Sequence, residues 1–223
     1  MKKIFEEIDE TIKILHKRLK SYKKPLVSSE NWQEIPKKPF TVLISCLLSL
    51  RTKDEITEKA SIRLLSKHNT PKKILGLSET DIIQKIYPVG FYRVKAKRIK
   101  KISEIIQNRY SGEVPKNFDK LLSLKGVGRK TANIVMLYGF KKKNYLPIDT
   151  HCHRIPNRIG WINTKKPLET EKKLKKIVPK KHWYIFNPLF VTFGQKICLP
   201  RSPFCSECPI ENKCQKTQVK ESR

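Results

Sequence analysis

Apolar residues recur at helical spacing through most of the chain. Ile4, Phe5, Ile8, Ile12, Leu15 and Leu19 fall every three or four positions, the stripe of one amphipathic helix. Residues 40–50 are apolar almost throughout, too long a run for an easy strand, and predict a helix buried on all sides. Asp54 opens another helical stretch through Ala60, Leu64 and Leu65. Ser78-Glu79-Thr80-Asp81 has the composition of a capped start before Ile82, Ile83 and Ile86, and Pro88-Val89-Gly90-Phe91 breaks that helix. Over residues 94–106, Ile99, Ile102, Ile105 and Ile106 mark an inward face. Arg93, Lys95, Lys97, Arg98, Lys100 and Lys101 are then left to a basic outer one.

Residues 21–38, with Pro25, Ser28-Ser29, Pro36 and several lysines, read as a linker. Ser111-Gly112 and Pro115 separate the basic helix from the next helical segment. After Lys141-Lys142-Lys143, Asp149 stands where an N-cap would open a helix at Thr150-His151. Further helices are predicted near residues 168–178 and 183–195. The tail, residues 215–223, is polar and expected to fray. Strand alternation is almost absent and no segment repeats, so the expected fold class is all-α.

One junction stands apart. Leu121, Leu122 and Leu124 end one helical segment, Ala132, Ile134, Val135 and Leu137 begin the next, and Gly126-Val127-Gly128 joins them. Glycine reaches φ > 0 without steric cost, so the joint can be a tight hairpin with Val127 plugging its base. The amides at the start of the second helix, at the positive end of its dipole, favour a phosphate. An ordinary αα-hairpin is the plain alternative. Against it, two of only eight glycines fall here, and Arg129 and Lys130 come directly after them, where the dipole disfavours cations. A lysine held in such a place suits a nucleophilic amine.

Charge narrows the partner. The 49 basic and 20 acidic residues leave +29, an excess that fits a polyanion. A membrane surface is the rival, but no apolar run approaches the roughly 20 residues of a spanning helix. Met1-Lys2-Lys3-Ile4-Phe5-Glu6-Glu7 turns acidic at once and lacks the apolar core of a signal peptide, so an intracellular, cytoplasmic place is expected.

Four of the six cysteines are Cys198, Cys205, Cys208 and Cys214, with Pro200, Pro203 and Pro209 stiffening the loops between them. An intracellular chain seldom forms disulfides, so four thiolates on one metal centre are expected. Zinc and an iron–sulfur cluster both suit four thiolates. Cys46 and Cys152 lie in apolar or crowded contexts and read as packing residues.

Three segments together resemble the endonuclease III family of DNA repair glycosylases. They are Leu124-Lys125-Gly126-Val127-Gly128-Arg129-Lys130-Thr131-Ala132-Asn133, then Ile148-Asp149-Thr150-His151 with Arg154 and Asn157-Arg158, and the cysteine spacing from Cys198 to Cys214. The likeness covers about residues 35 to 214. It implies a two-lobed helix-hairpin-helix DNA glycosylase fold with the active-site cleft between the lobes. A six-helix barrel lobe would span residues 30–141, and a discontinuous iron–sulfur lobe residues 1–29 with 142–214, leaving 215–223 as a tail. It further implies one [4Fe–4S] cluster held by the four cysteines. Lys130 becomes the amine nucleophile and Asp149 the carboxylate that stabilises charge at C1′.

A base inside a duplex is out of reach, so the nucleotide must be flipped out and the gap filled. By resemblance the filling residues come from Ser49-Leu50-Arg51-Thr52-Lys53-Asp54 and Val89-Gly90-Phe91. Many members of the family carry glutamine where this chain has Arg51. The expected DNA-binding set is therefore Gly126, Val127, Gly128, Arg129, Arg51 and Phe91. The implied activity is removal of oxidised pyrimidines from duplex DNA, then nicking of the abasic site by β-elimination through a lysine Schiff base. The implied partner is double-stranded DNA with damaged bases or abasic sites, met by a monomer. A monofunctional mismatch or adenine glycosylase is an alternative, but such relatives lack lysine at the position of Lys130. A non-catalytic DNA-binding module is another, disfavoured by Lys130 and Asp149 together.

Overall fold

The computed structural model of the chain describes residues 2–22 and 34–223. Pro25 and Ser28-Ser29 of the expected linker lie outside the described residues. Among the described residues there is no β-strand, and the all-α expectation holds. No described helix is long and apolar enough to cross a membrane. The chain divides into two compact units: a discontinuous one, Met1–Pro25 with Leu146–Arg223, and a central one, Leu26–Tyr145.

The central unit is built around α2 (Pro39–Ser49). Pro39 presets the first helical φ, and Thr41 Oγ1 accepts from the Lys38 amide at 3.0 Å to fix the start. Val42, Leu43, Ile44, Leu47 and Leu48 are buried, as a helix apolar on every side requires. Each such side chain contributes about 1.5–3 kcal/mol on leaving water. Around α2 pack α3 (Asp54–Leu65) and α6 (Tyr92–Arg109), with α4 (Pro71–Leu75) and α5 (Glu79–Ile86) lying on α6. The predicted start of α5 is a reciprocal cap: the Asp81 amide donates to Ser78 Oγ at 3.1 Å, and the Ser78 amide to Asp81 Oδ2 at 2.9 Å. The hairpin helices are α7 (Phe118–Leu122) and α8 (Arg129–Ile134), the latter running into a π-helical turn, Val135–Gly139. Both α8 and that turn pack on α2.

One expectation about α6 is overturned. Lys95 does not belong to an exposed basic face; it is buried, because backbone acceptors at the end of α2 take its ammonium. Ile99, Ile102 and Ile106 are buried as expected.

The discontinuous unit holds α1 (Lys2–Arg18), α9 (Thr150–Ile159), α10 (Pro167–Ile177) and α11 (Trp183–Lys196). Ile8, Ile12 and Leu15 of α1 join a core in which Phe186 and Phe190 stack with centroids 4.2 Å apart. Asp9 fastens α1 to the turn before α11: Lys13 stands at 2.7 Å, Lys181 at 2.5 Å and His182 at 2.6 Å. Hydrogen bonds from Lys13, Lys181 and His182 hold its carboxyl well below the usual range.

The tail expected to fray is instead folded back. The Gln215 amide donates to Ile159 O at 3.2 Å and the Thr217 amide to Arg158 O at 3.1 Å. The Arg223 amide donates to Pro203 O at 2.8 Å, and its guanidinium lies 4.0 Å from the Phe204 ring centroid. Composition misjudged this segment because backbone amides make most of these bonds.

A carboxylate with a depressed folded pKa stabilises fully above its unfolded pKa and loses that contribution as pH falls below it. Asp9→Asn should therefore lower the denaturant midpoint at neutral pH. The gap from the parent should close progressively below about pH 4. A gap that persists undiminished to pH 2 would assign the effect to something other than the ion cluster.

Candidate nucleic-acid interface and reactive groups

The hairpin is a tight joint whose two glycines do different work. Gly126 has φ +92°, in the left-handed region, while Gly128 is extended at φ −87°, ψ 174° and caps α8. Val127 is buried in the central core and its amide donates to Leu124 O at 2.9 Å, plugging the hairpin as expected. A Cβ at Gly126 would stand 2.5 Å from Arg98 Cδ, whereas one at Gly128 would meet nothing within 4 Å. Gly126, Gly128 and Arg129 are exposed. The Arg129 guanidinium lies 5.0 Å from the Phe118 ring centroid, and Phe118 in turn stacks on Tyr145.

Lys130 sits in the first turn of α8 and is half-buried. Its charge reaches the Cys46 thiol on α2. Burial pushes that thiol up to about 12, Lys130 opposing, so Cys46 stays protonated and packs as predicted. Asp149 belongs to the discontinuous unit, where it is half-buried at the N-cap of α9. Its Oδ1 accepts from the His151 amide at 2.9 Å and the Cys152 amide at 2.8 Å. The carboxylate is thereby held in place at the positive end of a helix.

Arg51 and Phe91, from separate loops of the central unit, are brought together. The Arg51 guanidinium lies 5.6 Å from the Phe91 ring centroid, and Phe91 is 60% exposed. Both take left-handed backbone conformations, φ 53° and 58°, which residues other than glycine adopt only under constraint. Two exposed side chains, one cationic and one aromatic, are thus presented side by side.

The four clustered cysteines line one cavity of about 30 Å³ in the discontinuous unit, together with Arg158, Phe204 and Val219. None of them is in a disulfide. Burial pushes the Cys208 thiol up to about 11, and Cys214 upward too, with the neighbouring thiols adding to the effect. Burial thus disfavours the thiolate forms of Cys208 and Cys214. Among the described residues, no three His, Cys, Asp or Glu side chains gather as they would on a single metal ion.

Two arginines of α9 bind the cysteine loop, a role the sequence did not disclose. Arg158 donates to Leu199 O at 2.6 Å and Pro200 O at 2.7 Å, with Cys198 Sγ 3.5 Å away. Arg154 donates to Cys198 O at 2.7 Å. Their i, i+4 spacing puts both on one helix face, and both belong to the motif around Asp149, but neither signal disclosed this role.

Residues 44–180 match the model of the HhH-GPD superfamily of base excision DNA repair proteins. The chain is 49% identical over 177 residues to an endonuclease III of Thermotoga maritima, covering 79% of this chain and 83% of that one. A structure of a trapped endonuclease III–DNA covalent intermediate aligns with a TM-score of 0.80 at 32% identity, over 95% of this chain and 96% of the other. A non-covalent endonuclease III–DNA complex aligns with a TM-score of 0.81 at 32% identity, over 95% of each chain.

The two hairpin glycines should respond differently to alanine. Gly126→Ala forces a left-handed alanine against Arg98 and should lower stability by about 1–2 kcal/mol, read from thermal or denaturant unfolding. Gly128→Ala should cost at most about 1 kcal/mol of helix capping. It should nevertheless weaken binding to undamaged duplex, because the methyl takes space where a phosphate would approach. Parental affinity in Gly128→Ala would mean that no phosphate comes close at this joint.

Proposed function

The chain belongs to the HhH-GPD superfamily and, within it, to the endonuclease III family, and we propose that it excises oxidised pyrimidines from duplex DNA and nicks the resulting abasic site. Two placements, each within its own unit, support this reading: Lys130 in the first turn after an exposed glycine hairpin, and a carboxylate, Asp149, fixed at a helix N-terminus.

In the proposed reaction the damaged nucleotide is extruded from the stack. The lone pair of Lys130 Nζ attacks C1′, and the base departs with the electrons of the glycosidic bond and takes up a proton. The carboxylate of Asp149 stabilises the positive charge that develops on the sugar. Opening of the ring at O4′ leaves C1′ joined to Nζ as a protonated Schiff base. Loss of a proton from C2′ sends an electron pair toward C3′ and expels the 3′ phosphate, which cuts the strand. Water then releases the lysine. Gly126, Val127, Gly128 and Arg129 would grip the backbone through amides and charge, without reading bases. Arg51 and Phe91 would fill the gap left in the stack.

Cys198, Cys205, Cys208 and Cys214 are the residues that would hold the [4Fe–4S] cluster. The fit is supported by the four thiols lining one cavity, none of them in a disulfide. The four cysteines would supply the four thiolate ligands that such a cluster takes. When bound, such a cluster supplies thiolate cross-links that fix the loop and a one-electron redox centre.

The mechanism predicts that borohydride traps the protein covalently on lesion-bearing duplex. Lys130→Gln should abolish the adduct yet still bind damaged DNA, since the hairpin grip comes from backbone amides. Asp149→Asn should keep the helix cap and the fold, while single-turnover excision falls by about 10²- to 10³-fold. An adduct formed by Lys130→Gln at the parental rate would move the nucleophile to another amine, Lys125 first.

Protein made with iron available should be coloured and contain about four irons per chain, as such a cluster requires. Cys205→Ser should lose both colour and iron, and the discontinuous unit should melt earlier. Stoichiometric zinc in place of iron would overturn the assignment.

A further inference from the structure

A buried ammonium stands behind the exposed pair Arg51 and Phe91. Lys95, on the first turn of α6, is only 4% exposed. Its Nζ donates to Leu48 O at 2.8 Å, Leu50 O at 2.5 Å and Thr52 Oγ1 at 3.1 Å. These acceptors close the last turn of α2 and flank Arg51 on both sides. The carbonyls at a helix C-terminus lack helical partners and attract a cation, so the ammonium satisfies both needs at once.

The same bonds reach the second loop. Thr52 Oγ1 also accepts from the Gly90 amide at 3.2 Å. Gly90 passes so close to the first loop that a Cβ there would stand 2.5 Å from Arg51 O. Phe91 comes next and caps α6, four residues before Lys95. Lys95, Thr52 and Gly90 thus bind both loops into one block, and the two constrained residues project from it. Burial, with Arg98 adding repulsion, pulls the Lys95 ammonium down to about 8. A charge kept at such a cost in desolvation, where an apolar stem would fit a core, marks a site that needs donors.

We propose that Lys95 is a positioning residue for base extrusion, its ammonium holding Arg51 and Phe91 as one preorganised wedge while taking no part in bond breaking. This rests on the reading of Arg51 and Phe91 as residues that fill the stack.

The test compares two substrates on the full chain. One is a duplex with a single oxidised pyrimidine, and the other a single strand with a ready-made abasic site, which needs no extrusion. Lys95→Met and Phe91→Ala should each slow single-turnover excision from the duplex by about tenfold or more. Lys95→Met should nick the single strand at the parental rate. The double variant should be no slower than the slower single one, because both substitutions disable one device. Thr52→Val removes the shared acceptor with little change of shape and should show the same selective loss, which keeps the test open if Lys95→Met fails to fold. Equal losses on both substrates, or additive losses in the double variant, would reduce Lys95 to a structural brace. A Lys95→Met protein as fast as the parent on duplex, with Phe91→Ala slow, would overturn the role of Lys95 alone. Parental rates in both Phe91→Ala and Arg51→Ala would instead overturn the wedge reading.

Discussion

The carbonyls that end α2 have no helical partners, and the chain buries a lysine to satisfy them. The same constraint, that a helix leaves its first amides and last carbonyls unpaired, governs the other reactive places. Asp149 is fixed because it accepts from two orphan amides of α9. Gly128 caps α8 with no side chain of its own, at an exposed joint. Phe91 caps α6 in a left-handed conformation, with no side-chain hydrogen bond. Interiors of helices build the two cores, and their ends hold the residues proposed for the chemistry.

The charge imbalance is handled in a related way. Acidic residues are scarce, and several are committed within the fold: Asp9 to Lys13, Lys181 and His182, Glu171 to Lys175, Glu10 to Lys213 and Glu211 to Lys216. Some cations rest on rings, as Arg129 does on Phe118 and Arg223 on Phe204. The remaining excess repels itself in the free protein, and a polyanionic partner relieves that repulsion on binding. Exposed ion pairs add little individually; Asp9 stands out because three donors converge on one carboxylate.

Much of this was legible in the sequence. The 3.6-residue period announced α1 and α6, the length of an unbroken apolar run announced α2, and Ser78 with Asp81 announced the start of α5. The hairpin showed in its glycines, although the sequence could not say that only Gly126 needs a positive φ. Lys95 was assigned to the wrong face because a lysine is ordinarily solvated, and its acceptors lie 43 to 47 positions away in the chain. The short helix α4 was missed, since five residues are too few to show a period. The tail was misjudged for a different reason: backbone amides bind regardless of side chain, so composition carries no trace of them.

The discontinuous unit has a consequence for how the molecule comes apart. Asp9 and His182 lie 173 positions apart, and the central unit occupies most of the chain between them. Docking α1 therefore closes a loop whose effective length depends on whether the central unit is folded. With that unit compact, the effective loop is shortened and closure costs less entropy. With it unfolded, the loop becomes a long flexible tether and closure costs more. Chain connectivity alone thus makes the stability of the thiol-bearing unit depend on the integrity of the unit that carries the hairpin.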